Sequence, residues 1–165
     1  MDDPIARHPT RGEQLDILTN ALAGIVRESG GVNSSRVLDI GCGTGFVAHG
    51  LMAKAPGVVV DGVDLSLDAL DAAQTNLESS AGTFTGVCGD LMAVEDITLP
   101  ASGYDVVYSC LTFHDLTDEG KQAVFGWVAK ALRPGGYFLL YDRLRLTSSA
   151  LFPLQRSIWS QIEAR

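Results

Sequence analysis

The sequence predicts an α/β fold: an open, doubly wound, mainly parallel sheet within a single domain spanning residues 1–165. Three observations carry that expectation. Short apolar runs of strand length alternate with helical periods along most of the chain, and parallel neighbours need a crossover that is normally a right-handed helix. A glycine cluster directly follows the first apolar run, where sheets of this kind place their ligands. The size fits too, since 165 residues with 46% apolar and 19% charged side chains match one globular domain with a core of its own.

The elements follow in order. Residues 1–10 hold Pro4 and Pro9 and no apolar period, which predicts an irregular arm. Leu15, Leu18, Leu22, Ile25 and Val26 recur at helical spacing between Glu13 and Glu28, and Gly30-Gly31 supplies a stop, so residues 1–30 form an N-terminal arm and helix. Arg36 to Ile40 predicts a short buried strand, followed by glycines at 41, 43 and 45 and a helix from Phe46 to Lys54 that ends before Pro56-Gly57. Val58 to Val63 predicts the second strand and Ser66 to Glu78 a helix with Ser66 as N-cap. The third strand is expected at Thr83 to Val87 and the fourth at Tyr104 to Ser109. A helix from Thr117 to Leu132, with Val124, Phe125, Val128 and Leu132 on one face, precedes the fifth strand at Tyr137 to Tyr141. Residues 35–142 are thus the ligand-binding core, and residues 143–165 add one more helix from Ser148 to Arg165, interrupted near Pro153.

Twelve basic residues stand against 20 acidic ones, a net charge of −8, so the domain lacks the basic footprint that phosphate neutralisation on nucleic acid requires. A small-molecule partner is expected instead. No apolar run approaches the roughly 18–20 residues needed to span a bilayer, and the acidic start Met1-Asp2-Asp3-Pro4 lacks the positive charge of a secretory signal, which predicts a cytoplasmic protein with no membrane partner. Cys42, Cys88 and Cys110 are odd in number and form no Cys-x-x-Cys pair. Neither a disulfide framework nor a metal site is expected, and the three read as buried small apolar residues.

The loop Asp39-Ile-Gly41-Cys42-Gly43-Thr-Gly45 lets the backbone turn sharply and approach a ligand with no β-carbon in the way. Two ligand classes compete for it. Gly43-Thr-Gly45-Phe-Val-Ala48 satisfies the loose dinucleotide pattern, and Asp64, 19 residues after Gly45, suits the ribose hydroxyls of either class. Asp39 separates them, because a carboxylate repels a pyrophosphate and favours the ammonium and sulfonium of S-adenosylmethionine. A nicotinamide-dependent oxidoreductase stays as one alternative, and a non-catalytic cofactor- or partner-binding domain as another.

Val37-Leu-Asp-Ile-Gly-Cys-Gly-Thr-Gly45 resembles the first motif of the class I S-adenosylmethionine-dependent methyltransferases. Further stretches resemble later motifs in the right order: Gly62-Val-Asp64-Leu-Ser66, Cys88-Gly-Asp90-Leu91, Tyr104-Asp-Val-Val-Tyr-Ser109, and Leu132-Arg-Pro-Gly-Gly136 at the turn into the fifth strand. The resemblance covers roughly residues 13–142 and implies the strand order 3-2-1-4-5. It also implies S-adenosyl-L-methionine as cofactor, with Asp39, Gly41, Cys42, Gly43 and Gly45 along its methionine and ribose portion. Asp64 would accept from both ribose hydroxyls, Asp90 would take the adenine amino group, the Leu91 N–H would meet a ring nitrogen and Leu65 would pack on the adenine face. Ser109 is grouped with these cofactor-binding residues. Asp90 could instead cap the Leu91–Asp96 segment.

Methyl transfer is an in-line displacement that rests largely on alignment, and a general base helps only when the acceptor is a hydroxyl. Ser109-Cys-Leu-Thr-Phe-His114-Asp-Leu resembles the His-Asp-Trp segment of one O-methyltransferase family, with Leu116 in place of the tryptophan. His114 is therefore the candidate catalytic base for O-methylation, against a purely structural histidine that bonds the neighbouring loop. Asp115 is expected to cap or orient. His8 lies on the arm and His49 in the helix after the glycine loop. Members of the family continue past the fifth strand with a helix and two strands, so strands six and seven are expected to be absent here and the chain to be a fragment or a short member. The fifth strand would then be an apolar edge, covered by the Ser148–Arg165 helix or by a second copy in a homo-oligomer.

Overall fold

The computed structural model describes residues 10–29, 35–143 and 149–163. The chain runs through α1 (Arg11–Glu28), β1 (Arg36–Ile40), α2 (Phe46–Lys54), β2 (Val59–Asp64), α3 (Leu67–Leu77), β3 (Thr83–Cys88), β4 (Tyr104–Cys110), α4 (Asp118–Ala131), β5 (Leu132–Tyr141) and α5 (Phe152–Glu163). All strands pair in parallel, in the order β3-β2-β1-β4-β5 expected from the sequence. The arm at residues 1–9, with His8, and the Gly30-Gly31 stop lie outside the described residues.

β1 and β4 occupy the middle of the sheet and are buried along nearly their whole length, as continuous apolar strands covered on both faces must be. Successive side chains point to opposite faces. Val37, Val106 and Tyr108 join Leu22, Leu51 and Met52 of α1 and α2 in one core, while Leu38, Ile40 and Val107 join Phe113, Val124 and Val128 in the other.

Local chemistry sets the helix starts. Ser66 Oγ accepts from Ala69 N at 3.2 Å, the expected N-cap, and Thr117 Oγ1 accepts from Gly120 N at 3.1 Å, so Thr117 caps α4 instead of lying within it. Phe125 does not share the buried face with Val124 and Val128; it is 46% exposed beside the sheet. Pro153 does not interrupt the last helix, because it stands in the first turn of α5, where a proline has no intrahelical bond to lose. β5 begins five residues earlier than expected, at Leu132. Tyr104 pairs with Leu132 and the register shifts before Val106 pairs with Tyr137, a bulge that Gly135 accommodates with φ +78°. A β-carbon at Gly136 would sit 2.9 Å from Tyr104 O, so glycine also lets the two strands close up there.

Of the three cysteines expected to be buried, only Cys42 is: Cys110 is half-buried at the end of β4, and Cys88 is exposed at the end of the edge strand β3. The outer edge of β5 pairs with no strand among the described residues, and the described side chains of α5, including Leu154 and Ile158, face solvent instead of covering it. Two buried acids away from the glycine loop are fully engaged: Asp61 accepts from Tyr104 Oη at 2.7 Å, and Asp105 pairs with Arg133 Nε at 2.6 Å.

Gly62, in the middle of β2, has no room for a side chain. A β-carbon there would stand 2.6 Å from Phe84 Cε2 and 2.8 Å from Cys42 Sγ. Gly62→Ala is expected to cost about 1–3 kcal/mol by overpacking, lowering the melting temperature by roughly 2–10 °C. A calorimetric melt superimposable on wild type would contradict the packing described.

Candidate functional site

The glycine loop leaves β1 at the carboxyl end of the sheet. Gly41, Gly43 and Gly45 take φ of +70°, +51° and +79°, a left-handed backbone that side chains disfavour. Gly41 N and Cys42 N donate to Val63 O at 2.8 and 3.0 Å, pinning the loop to β2. A β-carbon at Gly41 would come 2.2 Å from Thr112 Oγ1, and one at Gly45 would come 2.9 Å from Leu77 Cδ1, whereas Gly43 faces open space. At the end of β2, Asp64 Oδ2 accepts from Gly43 N at 2.8 Å and Oδ1 accepts from Ser66 N at 3.0 Å. One carboxylate thus ties the loop to the start of α3.

Beside the loop lies a cavity of about 300 Å³ lined by Arg11, Leu15, Asp39, Gly41, Cys42, Gly43, Thr44, Phe46, Val47, Cys110 and Leu111. Asp39 is 2% exposed and accepts from Tyr108 Oη at 2.6 Å. Burial pushes its carboxyl up to about 7, the negative charge of Asp64 adds to the rise, and the Tyr108 hydrogen bond opposes it. Asp39 is therefore not the fixed charge the sequence suggests, but a group that a cation in the cavity would draw into its ionised form. Burial also raises the thiols, Cys110 to about 12 and Cys42 further, which leaves both un-ionised at neutral pH.

Arg11 opens α1 and is 8% exposed, and its Nε has no hydrogen-bond partner among the described residues. A buried guanidinium with a spare donor and a buried carboxyl in one cavity are the complements of the carboxylate and ammonium of an amino-acid group. These residues fit the methionine end of S-adenosylmethionine. Sequence periodicity passes over Arg11 because the helix is expected to begin at Glu13, and nothing in the local pattern sets this arginine apart; only the fold brings it to the cavity beside the loop.

The raised Asp39 carboxyl makes stability depend on pH. The folded chain holds this proton to about 7, while the unfolded chain releases it near the ordinary 3.8, so Asp39 favours the folded state below that range and the advantage is lost as pH rises through it. Asp39→Asn is expected to flatten stability between pH 4 and 7, and to leave the variant more stable than wild type at pH 8 by on the order of 2–4 kcal/mol. Parallel urea curves for the two proteins at every pH would refute it.

The remaining cofactor candidates are spread over the same end of the sheet. Leu65 and Asp90 are exposed after β2 and β3, and Asp90 Oδ1 accepts from Met92 N at 2.8 Å, so this carboxylate does cap the turn it precedes. Leu91 is buried in the core against α4. Ser109 is fully buried and donates to Ile40 O at 2.9 Å, joining β4 to β1 without bordering either cavity described here. His49 lies within 3.1 Å of Ser80 Oγ on the exposed side of α2.

After β4, Leu111 adopts φ +59°, a left-handed backbone at a residue with a side chain, and its N–H donates to Tyr141 O at 2.8 Å. The next turn carries His114. Its Nδ1 lies 2.7 Å from Asp142 Oδ1, its backbone N–H donates to Asp142 Oδ2 at 3.1 Å, and its Nε2 is 3.6 Å from Asp115 Oδ1. A second cavity, of about 620 Å³, is bounded by Phe113, His114, Asp118, Lys121, Phe125, Leu140, Asp142 and Arg143. Asp142 is the functional candidate that sequence reading misses. It lies 28 residues from its partner, and only the adjacency of β4 and β5 brings the two together.

Among the described residues no helix is long and apolar enough to cross a membrane. A family model described as "Methyltransferase domain" matches residues 37–136. The ribosomal RNA small subunit methyltransferase C of Klebsiella pneumoniae is 29% identical over 121 residues, covering 72% of this chain and 32% of that protein. An uncharacterised methyltransferase of Synechocystis is 31% identical over 118 residues, covering 72% of this chain and 51% of that protein. The chain thus spans between a third and a half of the length of these curated relatives. A crystal structure of an S-adenosylmethionine-dependent methyltransferase from Mesorhizobium loti is 30% identical, with a TM-score of 0.54 over 73% of this chain and 51% of that one. The family model alone takes in the sheet from β1 to the start of β5, with the glycine loop and the carboxylates at the strand ends. The chain belongs to the class I S-adenosylmethionine-dependent methyltransferase family.

Proposed function

We propose that this domain transfers the methyl group of S-adenosylmethionine to a hydroxyl of a small molecule, with His114 as the general base. The observation that supports this is the pair of cavities flanking the segment after β4: Cys110 and Leu111 line the one with Asp39 and Arg11, while Phe113 and His114 line the other. Arg11 and Asp39 hold the carboxylate and ammonium of the cofactor, and Asp64 receives its ribose hydroxyls. Asp90 takes the adenine amino group, the Leu91 N–H a ring nitrogen, and Leu65 covers the adenine face. Ser109 acts from behind, fixing β4 against β1. When bound, the cofactor supplies a methyl carbon made electrophilic by its sulfonium.

Aligning that carbon with the acceptor oxygen can contribute up to roughly 7–11 kcal/mol, and a base in reach of the hydroxyl adds about 10²–10⁴-fold. Net charge −8 favours a small acceptor over a polyanion. The relative named for ribosomal RNA supports a second acceptor class, which the same experiment includes.

Titration calorimetry with S-adenosylhomocysteine and with NAD tests the cofactor, and transfer of labelled methyl to phenols, carboxylic acids and ribosomal RNA tests the acceptor. Binding of S-adenosylhomocysteine alone, with label in a phenol, is expected, and label confined to carboxylic acids, whose oxygens are already ionised, would overturn the general-base reading. Preferential binding of NAD would overturn the cofactor assignment, and label confined to RNA would overturn the acceptor.

A further inference from the structure

We infer that Asp142 is a positioning residue for His114: it holds the imidazole in the Nδ1–H tautomer and leaves Nε2 as the proton acceptor at the larger cavity. The inference rests on the reading of His114 as the base. His114 stands in the turn after β4 and Asp142 directly follows β5. Because Cys110 pairs with Tyr141, the two segments leave the sheet side by side.

The contact joins a quarter-exposed imidazole to a buried carboxylate side chain. The Asp142 side chain is 5% exposed, in contrast to Asp115, whose side chain is 80% exposed and stays 3.6 Å from Nε2. Asp142 grips its neighbour twice, through the His114 backbone N–H at 3.1 Å and the ring Nδ1 at 2.7 Å, and its Oδ1 also accepts from Arg143 N at 2.6 Å. A carboxylate has only lone pairs to offer, so at this distance the ring nitrogen is the donor. Bonds to both backbone and ring fix where the imidazole sits and how it is rotated. The lone pair then resides on Nε2, with Asp118, Lys121 and Arg143 as the other charged groups around the cavity.

The proton balance is simple. As the acceptor oxygen takes the methyl carbon, the carbon–sulfur bonding pair stays on sulfur and the hydroxyl proton passes to Nε2. Asp142 remains ionised beside the imidazolium that results, which afterwards returns its extra proton to solvent. The opposite tautomer would present an N–H where a lone pair is needed.

Asp142→Asn tests this, because the amide can donate to Nδ1 and thereby move the ring proton to Nε2. Long-range nitrogen–proton NMR of His114 is expected to show Nδ1–H in wild type and Nε2–H in the variant. The variant's kcat is expected to fall by at least about tenfold, with S-adenosylhomocysteine affinity unchanged. An Nε2–H tautomer in wild type overturns the inference, and that single measurement decides even where the variant fails to fold. A variant that keeps Nδ1–H overturns it too. If the tautomer switches but neither Asp142→Asn nor His114→Gln slows turnover, the base reading falls and the inference with it.

Discussion

Replacing His114 by glutamine is expected to lower turnover by about 10²-fold or more while leaving the affinity for S-adenosylhomocysteine as it is in wild type. Glutamine reaches about as far as histidine and can still donate to Asp142, so the grip between the segments after β4 and β5 survives the change. What disappears is a nitrogen that accepts a proton at neutral pH. A histidine that merely tied loop to loop would be replaced almost silently, because its backbone N–H, 3.1 Å from Asp142 Oδ2, needs no imidazole. Turnover within a few-fold of wild type, at saturating acceptor and with chemistry limiting the rate, would assign the ring to structure and leave alignment as the source of catalysis.

Asp64→Ala should cost the domain its cofactor. The carboxylate accepts from Gly43 N at 2.8 Å and from Ser66 N at 3.0 Å, and is the group proposed for the ribose hydroxyls. Hydrogen bonds to a charged group contribute about 1.5–3 kcal/mol each, and about 1.4 kcal/mol is tenfold in affinity, so losing the ribose contacts alone predicts a weakening of at least tenfold and on the order of a hundredfold. Asp64→Asn, which keeps one acceptor oxygen, should fall between alanine and wild type. The fold should persist, since Gly41 N and Cys42 N still donate to Val63 O. Unchanged calorimetric affinity in the folded alanine variant would sink the assignment.

Much of this architecture is legible in the amino acids because several local signals agree. The run Arg36–Ile40 followed by three glycines and an apolar helix marks β1, the loop and α2 to the residue, and Ser66 announces the start of α3. The errors have local causes. Pro134 and Gly135-Gly136 read as a turn, yet β5 passes through them, because a bulge against Tyr104 tolerates a missing donor and a left-handed residue. Phe125 reads as core because it sits beside Val124, but the turn of the helix carries it to the rim of the larger cavity. Within the site, the loop glycines and Asp64 announce themselves by spacing. Arg11 and Asp142 do not, since one belongs to the first turn of a distant helix and the other acquires meaning only when β4 and β5 lie side by side.

The bonds of the glycine loop have a kinetic consequence. Gly41, Cys42 and Gly43 each donate to β2 or to the carboxylate at its end, bonds made wholly within the chain, so the conformational entropy of ordering them, about 1–2 kcal/mol per residue, is spent when the chain folds. Association then has no loop-closing step to wait for. In a stopped-flow experiment the observed rate should climb in proportion to ligand concentration without levelling off, and the cut Asp64 makes in that waiting time should reveal itself as a plateau once the side chain is shortened to alanine.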